Sequence, residues 1–115
     1  MDAAALCKMA ERGQISGGLL DGPLAFDNAV SKEAGRTKGI TSKVAGEADI
    51  LITPDLEAGN MPAKQLTYLA GADAAGIALG ARVPVVLTSR ADGSLARRAS
   101  CALAVLVAAR KLQDV

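Results

Sequence analysis

Residues 49–71, DILITPDLEAGNMPAKQLTYLAG, decide how the chain folds. Asp49-Ile50-Leu51-Ile52-Thr53 is a short apolar, β-branched run that reads as a buried strand, and Pro54-Asp55 ends it because proline cannot continue a ladder. A helix is expected from Asn60 to Ala70. Pro62 then falls in its first turn, where a missing N–H costs little, and Gly71 is placed to stop it.

The same alternation runs outward in both directions. Asp2 can cap a helix to about Arg12, stopped by Gly13. Ile15 to Leu20 reads as a second buried strand, closed by Asp21-Gly22-Pro23. Asp27 opens a helix to about Lys38, with Ala29, Val30 and Ala34 on its apolar side. Residues 39–48 are a polar connection. Ala74 to Leu79 and Val83 to Thr88 are two further strands, separated by Gly80-Ala81-Arg82. The last helix runs from about Gly93 to Leu112, with Asp92 as N-cap and Leu95, Ala99, Ala102, Leu103 and Leu106 at helical spacing. Strands alternating with helices predict an α/β layered fold.

Composition agrees and sets limits. Half of the 115 residues are hydrophobic, yet Phe26 and Tyr68 are the aromatic ones, so Ala, Val, Leu and Ile must fill any core. Thirteen basic against twelve acidic residues give a net charge of +1, without the basic face of a nucleic-acid binder. The apolar run from Ala99 to Ala109 is shorter than the ~20 residues that span a bilayer, and no signal-peptide pattern stands at the N-terminus. A soluble, cytoplasmic protein without nucleic-acid or membrane partners is expected. Cys7 and Cys101 lie in apolar, helix-like stretches and read as reduced, structural thiols. There is no histidine, which removes His-based triads, histidine bases and His-ligated metals together. No metal site is expected. The remaining inventory suits anion binding and the positioning of reactants.

Ligands of an α/β sheet sit beyond the carboxyl ends of its strands. Three such ends carry polar turns: Asp21-Gly22-Pro23, Asp55 with Gly59-Asn60, and Ser89-Arg90-Ala91-Asp92. If the strands run parallel, the turns share one rim. Arg90 offers a planar fork of donors to phosphate, Ser89 adds a hydroxyl, and the N–H groups of the next helix would reinforce an anion. The same residues also fit a surface arginine beside a helix cap. Asp92 could take a proton from a thiol or alcohol, or simply cap the helix, and both roles would use the same oxygens. Gly59-Asn60 could admit a ligand close to the backbone, or merely punctuate two elements. Residues 71–80 are glycine-rich but have neither P-loop nor GxGxxG spacing. Lys64, Arg97 and Arg98 read as solvated helix positions.

Taken together, "LLDGPLAFDNAVSKEAG", "SKVAGEADILITPDLEAGNMPAKQLTYLAGADAAGIALGARVPVVLTSRADG" and the closing Ala-rich helix resemble the C-terminal portion of the phosphate acetyl- and butyryltransferases, over nearly all of residues 14–109. "DGPLAFDNA", "ITPDLEAGN" and "GARVPVVLTSRAD" look closer to the butyryl-type branch. The resemblance implies a three-layer α/β/α fold of the isocitrate/isopropylmalate-dehydrogenase type, here incomplete. Residues 1–88 would belong to one lobe, and 89–115 would form a cleft turn and a terminal helix that packs on a lobe not included. It implies reversible acyl transfer between coenzyme A and inorganic phosphate, with no cofactor beyond coenzyme A as substrate, in a homodimer or higher oligomer. Ser89 and Arg90 match the family's Ser-Arg. Asp21, Gly22, Pro23, Asp55, Gly59 and Asn60 match segments lining the same cleft. Acetyltransferase-type members carry an Asp further into the last helix, where this chain has Ala96, so Asp92 is the nearest candidate for a thiol base. The resemblance also implies a truncated chain. Two alternatives stand beside it: an inactive fragment that dimerises or binds coenzyme A weakly, and another acyl-phosphate or dehydrogenase enzyme of the same fold.

Overall fold

Five helices carry the regular structure of the computed structural model, which describes residues 1–113. They are α1 (Asp2–Glu11), α2 (Phe26–Val30), α3 (Lys32–Thr37), α4 (Leu56–Leu69) and α5 (Ser94–Gln113). The final Asp114 and Val115 of the expected 89–115 segment lie outside the described residues. The chain divides into two compact units, residues 1–53 and 54–115.

In the first unit, local backbone devices do most of the closing. α1 and α3 end in the same way. Gly13 and Gly39 adopt φ of 71° and 68°, and the following amides of Gln14 and Ile40 reach back to the carbonyls of Met9 and Gly35, which satisfies helix-end acceptors as a Schellman motif does. The helix expected across Asp27 to Lys38 is instead broken at Ser31, whose φ of −126° and ψ of 115° leave the helical region. The Ser31 hydroxyl accepts the Ala34 N–H at 3.2 Å and so caps α3. Serine competes with the helix for backbone bonds, which is why a break can form there.

The loop after α3 folds back over α2. Gly46 N–H donates to the carbonyls of Asn28 and Ala29, and Ala48 N–H to Ala29. Gly46 has φ +81°, and a Cβ at that position would stand 2.5 Å from Lys32 N and 2.6 Å from its Cα. Only glycine fits both the conformation and the approach. Asn28, Ala29 and Gly35 are buried there. Ion pairs Lys38–Asp27 at 2.6 Å and Lys32–Glu47 edge the same packing.

In the second unit, α4 starts four residues earlier than the sequence suggested. Asp55 Oδ1 accepts the Ala58 N–H at 2.7 Å, an N-cap that begins the helix at Leu56. Pro62 therefore lies inside the helix rather than in its first turn. Gly71 ends it as expected, with φ 66°. α5 matches its predicted span, but a different stripe faces inward. Ser100 is buried, at 1 % exposure, while Leu95, Leu103 and Leu106 are exposed. Ala96, Ala99, Ala104, Val107 and Ala108 are the half-buried neighbours of Ser100. Its hydroxyl donates to Ala96 O at 2.7 Å and accepts Gly76 N–H at 3.0 Å, tying the segment after α4 to α5.

The strands expected at Ile15–Leu20, Asp49–Thr53, Ala74–Leu79 and Val83–Thr88 are the main correction. Among the described residues they hold one isolated antiparallel bridge, Ala78 with Val85, and no ladder. A helix finds its hydrogen bonds within itself, whereas a strand must find them in a neighbour. Apolar side chains are left open accordingly. Among the described residues Ala29 is the buried hydrophobic one, and Ile50, Ile52, Leu79 and Leu87 are each close to four-fifths exposed. The chain exposes 9325 Å², whereas two separate compact bodies sharing its 11.6 kDa would expose about 7,000 Å². No described helix is long and apolar enough to cross a membrane.

Candidate functional site

The segment joining residue 88 to α5 is a turn that closes on itself. Ser89 N–H donates to Asp92 Oδ2 at 2.7 Å, Ala91 N–H to Ser89 Oγ at 3.3 Å, and Asp92 N–H to Ser89 O at 3.1 Å. Asp92 was expected to cap α5. It instead turns its carboxylate back onto Ser89, one residue too early to cap a helix that begins at Ser94. Gly93 takes the cap position, its carbonyl accepting Arg97 N–H at 3.2 Å. Arg97, read as solvated, donates Nε to Asp92 O at 3.1 Å and pins the turn to the first helical turn.

This arrangement fixes the backbone and leaves the reactive atoms available. Arg90 is exposed, and its guanidinium has no partner among the described residues. The Ser89 hydroxyl accepts a bond and keeps its own hydrogen to donate. Asp92 is half-buried, with one carboxylate oxygen committed to the turn. The first amides of α5 lack i−4 acceptors and add partial positive charge beside Arg90.

Asp55, Gly59 and Asn60 lie in the first turns of α4. Asp55 is spent as N-cap, and Gly59 N–H bonds to Asp55 O, so Gly59 and Asn60 are helical rather than turn residues. The Ser89–Asp92 turn makes its described hydrogen bonds within itself and to Arg97, none of them to α4. Among the described residues no β-ladder forms.

In the first unit, Asp21 Oδ1 accepts the Gly22 N–H at 2.8 Å, the Gly22–Pro23 peptide is cis, and Cys7 Sγ lies 3.8 Å from Gly22 O. Cys7 is half-buried as expected of a structural thiol, whereas Cys101 is exposed. Asp21 lines an open hollow of about 240 Å³ with Leu19, Leu20, Thr41, Ser42, Lys43 and Val44. Sequence reading treated 39–48 as a plain connection and missed that Thr41, Ser42 and Lys43 join Asp21. A lysine among Gly, Ser and Thr was the available signal. Ser42 Oγ accepts the amides of Val44 and Ala45, which shapes the loop. Among the described residues, no group of His, Cys, Asp and Glu is placed to hold a metal ion.

Comparison with known proteins gives this geometry its family. The Phosphate acetyl/butaryl transferase family matches residues 1–105. The chain belongs to this family. A phosphate acetyltransferase of Rhizobium meliloti is 70 % identical over 111 residues, covering 96 % of this chain and 35 % of that protein. A phosphate butyryltransferase of Clostridium beijerinckii is 53 % identical, covering 96 % and 36 %. The acetyl-named relative is thus the more similar of these two, against the butyryl-type leaning of the motifs. The crystal structure of a branched-chain phosphotransacylase from Enterococcus faecalis V583 superposes with a TM-score of 0.71 at 36 % identity, over 91 % of this chain and 39 % of that one. That likeness is compatible with the α/β class. The chain spans about a third of the length of the curated relatives it matches.

Proposed function

We propose that this chain supplies the phosphate-facing element of a phosphate acyltransferase, which interconverts acyl-CoA and phosphate with acyl phosphate and CoA. The observation that carries this reading is the self-closed Ser89–Asp92 turn, which offers an unpaired guanidinium and a free hydroxyl proton at the start of a long helix. In the reaction a phosphate oxygen attacks the thioester carbonyl carbon, the carbon–sulfur bond breaks, and the thiolate leaves and takes up a proton. Arg90 binds phosphate through its planar fork of donors. Ser89 donates to the oxyanion as charge develops. In the reverse direction Asp92 accepts the proton from the attacking thiol through its uncommitted oxygen. Asp21, Gly22, Pro23, Asp55, Gly59 and Asn60 line the remaining cleft. The scheme calls for coenzyme A and phosphate as substrates and for no further cofactor.

The fold proposed for the complete arrangement is the incomplete α/β/α, isocitrate/isopropylmalate-dehydrogenase-like one. In it residues 1–88 belong to one lobe, and 89–115 bring the turn and terminal helix against another, in a cytoplasmic homodimer or larger assembly. A second reading is favoured by the extent of open apolar surface: the chain alone binds coenzyme A, or dimerises, without turnover.

Thiol release from butyryl-CoA and acetyl-CoA, with and without phosphate, separates the two. Phosphate-dependent release that Arg90→Ala abolishes supports the transferase reading, and its absence from a folded sample supports the second. Asp92→Asn then isolates the base, because an amide oxygen can still accept the Ser89 N–H while no longer taking a proton. A rate loss of about 10²-fold or more is expected of a true general base. An unchanged rate would leave Asp92 as a turn residue.

A further inference from the structure

The loop of residues 40–46 is held at both ends and leaves donors unpaired between them. Ile40 N–H donates to Gly35 O at 3.0 Å, and Gly46 N–H donates to Asn28 O at 2.8 Å. Between these anchors the amides of Thr41, Ser42 and Lys43 have no partner among the described residues. Ser42 Oγ accepts the amides of Val44 and Ala45 and keeps its own hydrogen to donate. Ser42 also lines two adjoining hollows of about 240 Å³ each, one shared with Lys43 and the other with Arg36. Neither of these cations is ion-paired among the described residues, whereas Lys32, beside Arg36, is taken up by Glu47. Successive unpaired backbone N–H groups in a turn are an anion-binding feature, and a lysine and two hydroxyls on the same three residues add to it. Because the loop is already anchored, little ordering is required when a ligand binds.

The remaining lining of the Lys43 hollow narrows the ligand. Asp21 shares it, with Oδ1 committed to the Gly22 N–H at 2.8 Å. The other carboxylate oxygen accepts a hydroxyl and repels a bare anion. Leu19, Leu20 and Val44 add apolar surface. Donors for a phosphate, an acceptor for a hydroxyl and an apolar wall suit a phosphorylated nucleoside better than inorganic phosphate. We propose that the hollow of Asp21, Thr41, Ser42 and Lys43 binds the phosphoribosyl-adenine end of coenzyme A. Lys43 and the amides of residues 41–43 hold its ribose phosphate, Asp21 accepts the neighbouring ribose hydroxyl, and Arg36 in the adjoining hollow adds positive charge. The inference deepens the transferase reading above and takes from it the identity of the carrier.

The test titrates the isotope-labelled 115-residue chain with coenzyme A, with dephospho-coenzyme A, which lacks the ribose phosphate, and with inorganic phosphate. Amide signals report where each ligand binds, and calorimetry reports how tightly. Coenzyme A should shift the amides of residues 41–43 saturably. Dephospho-coenzyme A should bind about tenfold or more weakly, as expected for the loss of a hydrogen-bonded charge. Lys43→Ala should weaken coenzyme A by a similar factor, whereas Lys64→Ala on α4 should leave its affinity unchanged. Lys43 is exposed, so the helical circular-dichroism signal should persist. If Lys43→Ala loses that signal, the comparison of coenzyme A with dephospho-coenzyme A on the unsubstituted chain decides. Equal affinity for those two ligands, shifts that bypass residues 41–43, or inorganic phosphate held at the loop as tightly as coenzyme A would overturn the proposal. Coenzyme A bound at residues 41–43 without thiol release would defeat the transferase reading alone, and thiol release indifferent to Lys43→Ala would defeat this assignment alone.

Discussion

Residues 26–48 and residues 72–93 are both built from short elements joined by glycine-bearing loops, yet the first closes on itself and the second stays open. In the first, Gly46 and Ala48 bond back to Asn28 and Ala29, and Asn28, Ala29 and Gly35 are buried. In the second, the long-range hydrogen bonds include one at the Ala78–Val85 bridge and one from Gly76 N–H to the Ser100 hydroxyl. The open region is the more apolar of the two. Hydrophobicity alone therefore does not close a segment. What separates them is how many backbone groups find partners: Gly46 and Ala48 bond back to Asn28 and Ala29 in the first, whereas of residues 83–88 the Val85 carbonyl is the one paired backbone group among the described residues.

The hardest blow to the closed region should be Gly46→Val. The new side chain would meet backbone atoms of Lys32, which cannot swing aside, at a residue held at φ +81°. Strained backbone of this kind costs on the order of 1–3 kcal/mol before the clash is counted. Amide exchange across 26–48 should rise sharply while α5 keeps its helical signal. A variant that exchanges like the parent would show that the Gly46 contact does not hold the loop.

Ser100→Ala should loosen the open region by a smaller amount. It leaves the Gly76 N–H without its partner and removes a buried hydroxyl; Gly76 itself is exposed and can turn to water, so the loss is that of one ordinary hydrogen bond, about 0.5–1.5 kcal/mol. Faster exchange confined to 72–88 and α5 is expected, with residues 26–48 unaffected. Equal loosening of both regions would erase the contrast drawn between them.

The smallest effect belongs to the Asp27–Lys38 pair. The hydrogen bond from Lys38 is the largest influence holding the Asp27 carboxyl below its ordinary value of 3.8. A carboxylate depressed on folding stabilises the folded state above its unfolded value, and that contribution is lost as pH falls through the folded one. The loss therefore sets in below about pH 3.8. The pair is solvent-exposed, so the change in stability should be slight. Carbon-detected titration should show the Asp27 midpoint rising in Lys38→Ala. A midpoint that stays put would assign the depression to the Asn28 N–H instead.

Much of the candidate site was legible because it is local. Ser89, Arg90 and Asp92 are near neighbours in sequence, and the structure does set them in one tight turn. The role of Asp92 was misread by one register step, since whether a carboxylate caps forward or closes backward depends on where the helix begins. Asp55 shows the converse. Its capping bond to Ala58 moved the start of α4 ahead of Gly59 and Asn60, and placed Pro62 inside the helix. The joining of Asp21 with Thr41, Ser42 and Lys43 in one hollow was not legible, because no local pattern relates residues so far apart in the chain.

The amino-acid sequence by itself determined α1 and α5, the glycine stops at Gly13 and Gly71, the family motifs and the inventory of a histidine-free site. Each of these is written in a residue's own backbone preference or in hydrogen bonds to near neighbours. Tertiary structure alone decided that Ser100 rather than Leu95, Leu103 or Leu106 faces inward on α5, that Gly46 presses on Lys32, and that the expected strands remain without a ladder. Those outcomes depend on which distant atoms are present to receive a hydrogen bond or cover a methyl group, and no short stretch of chain contains that information.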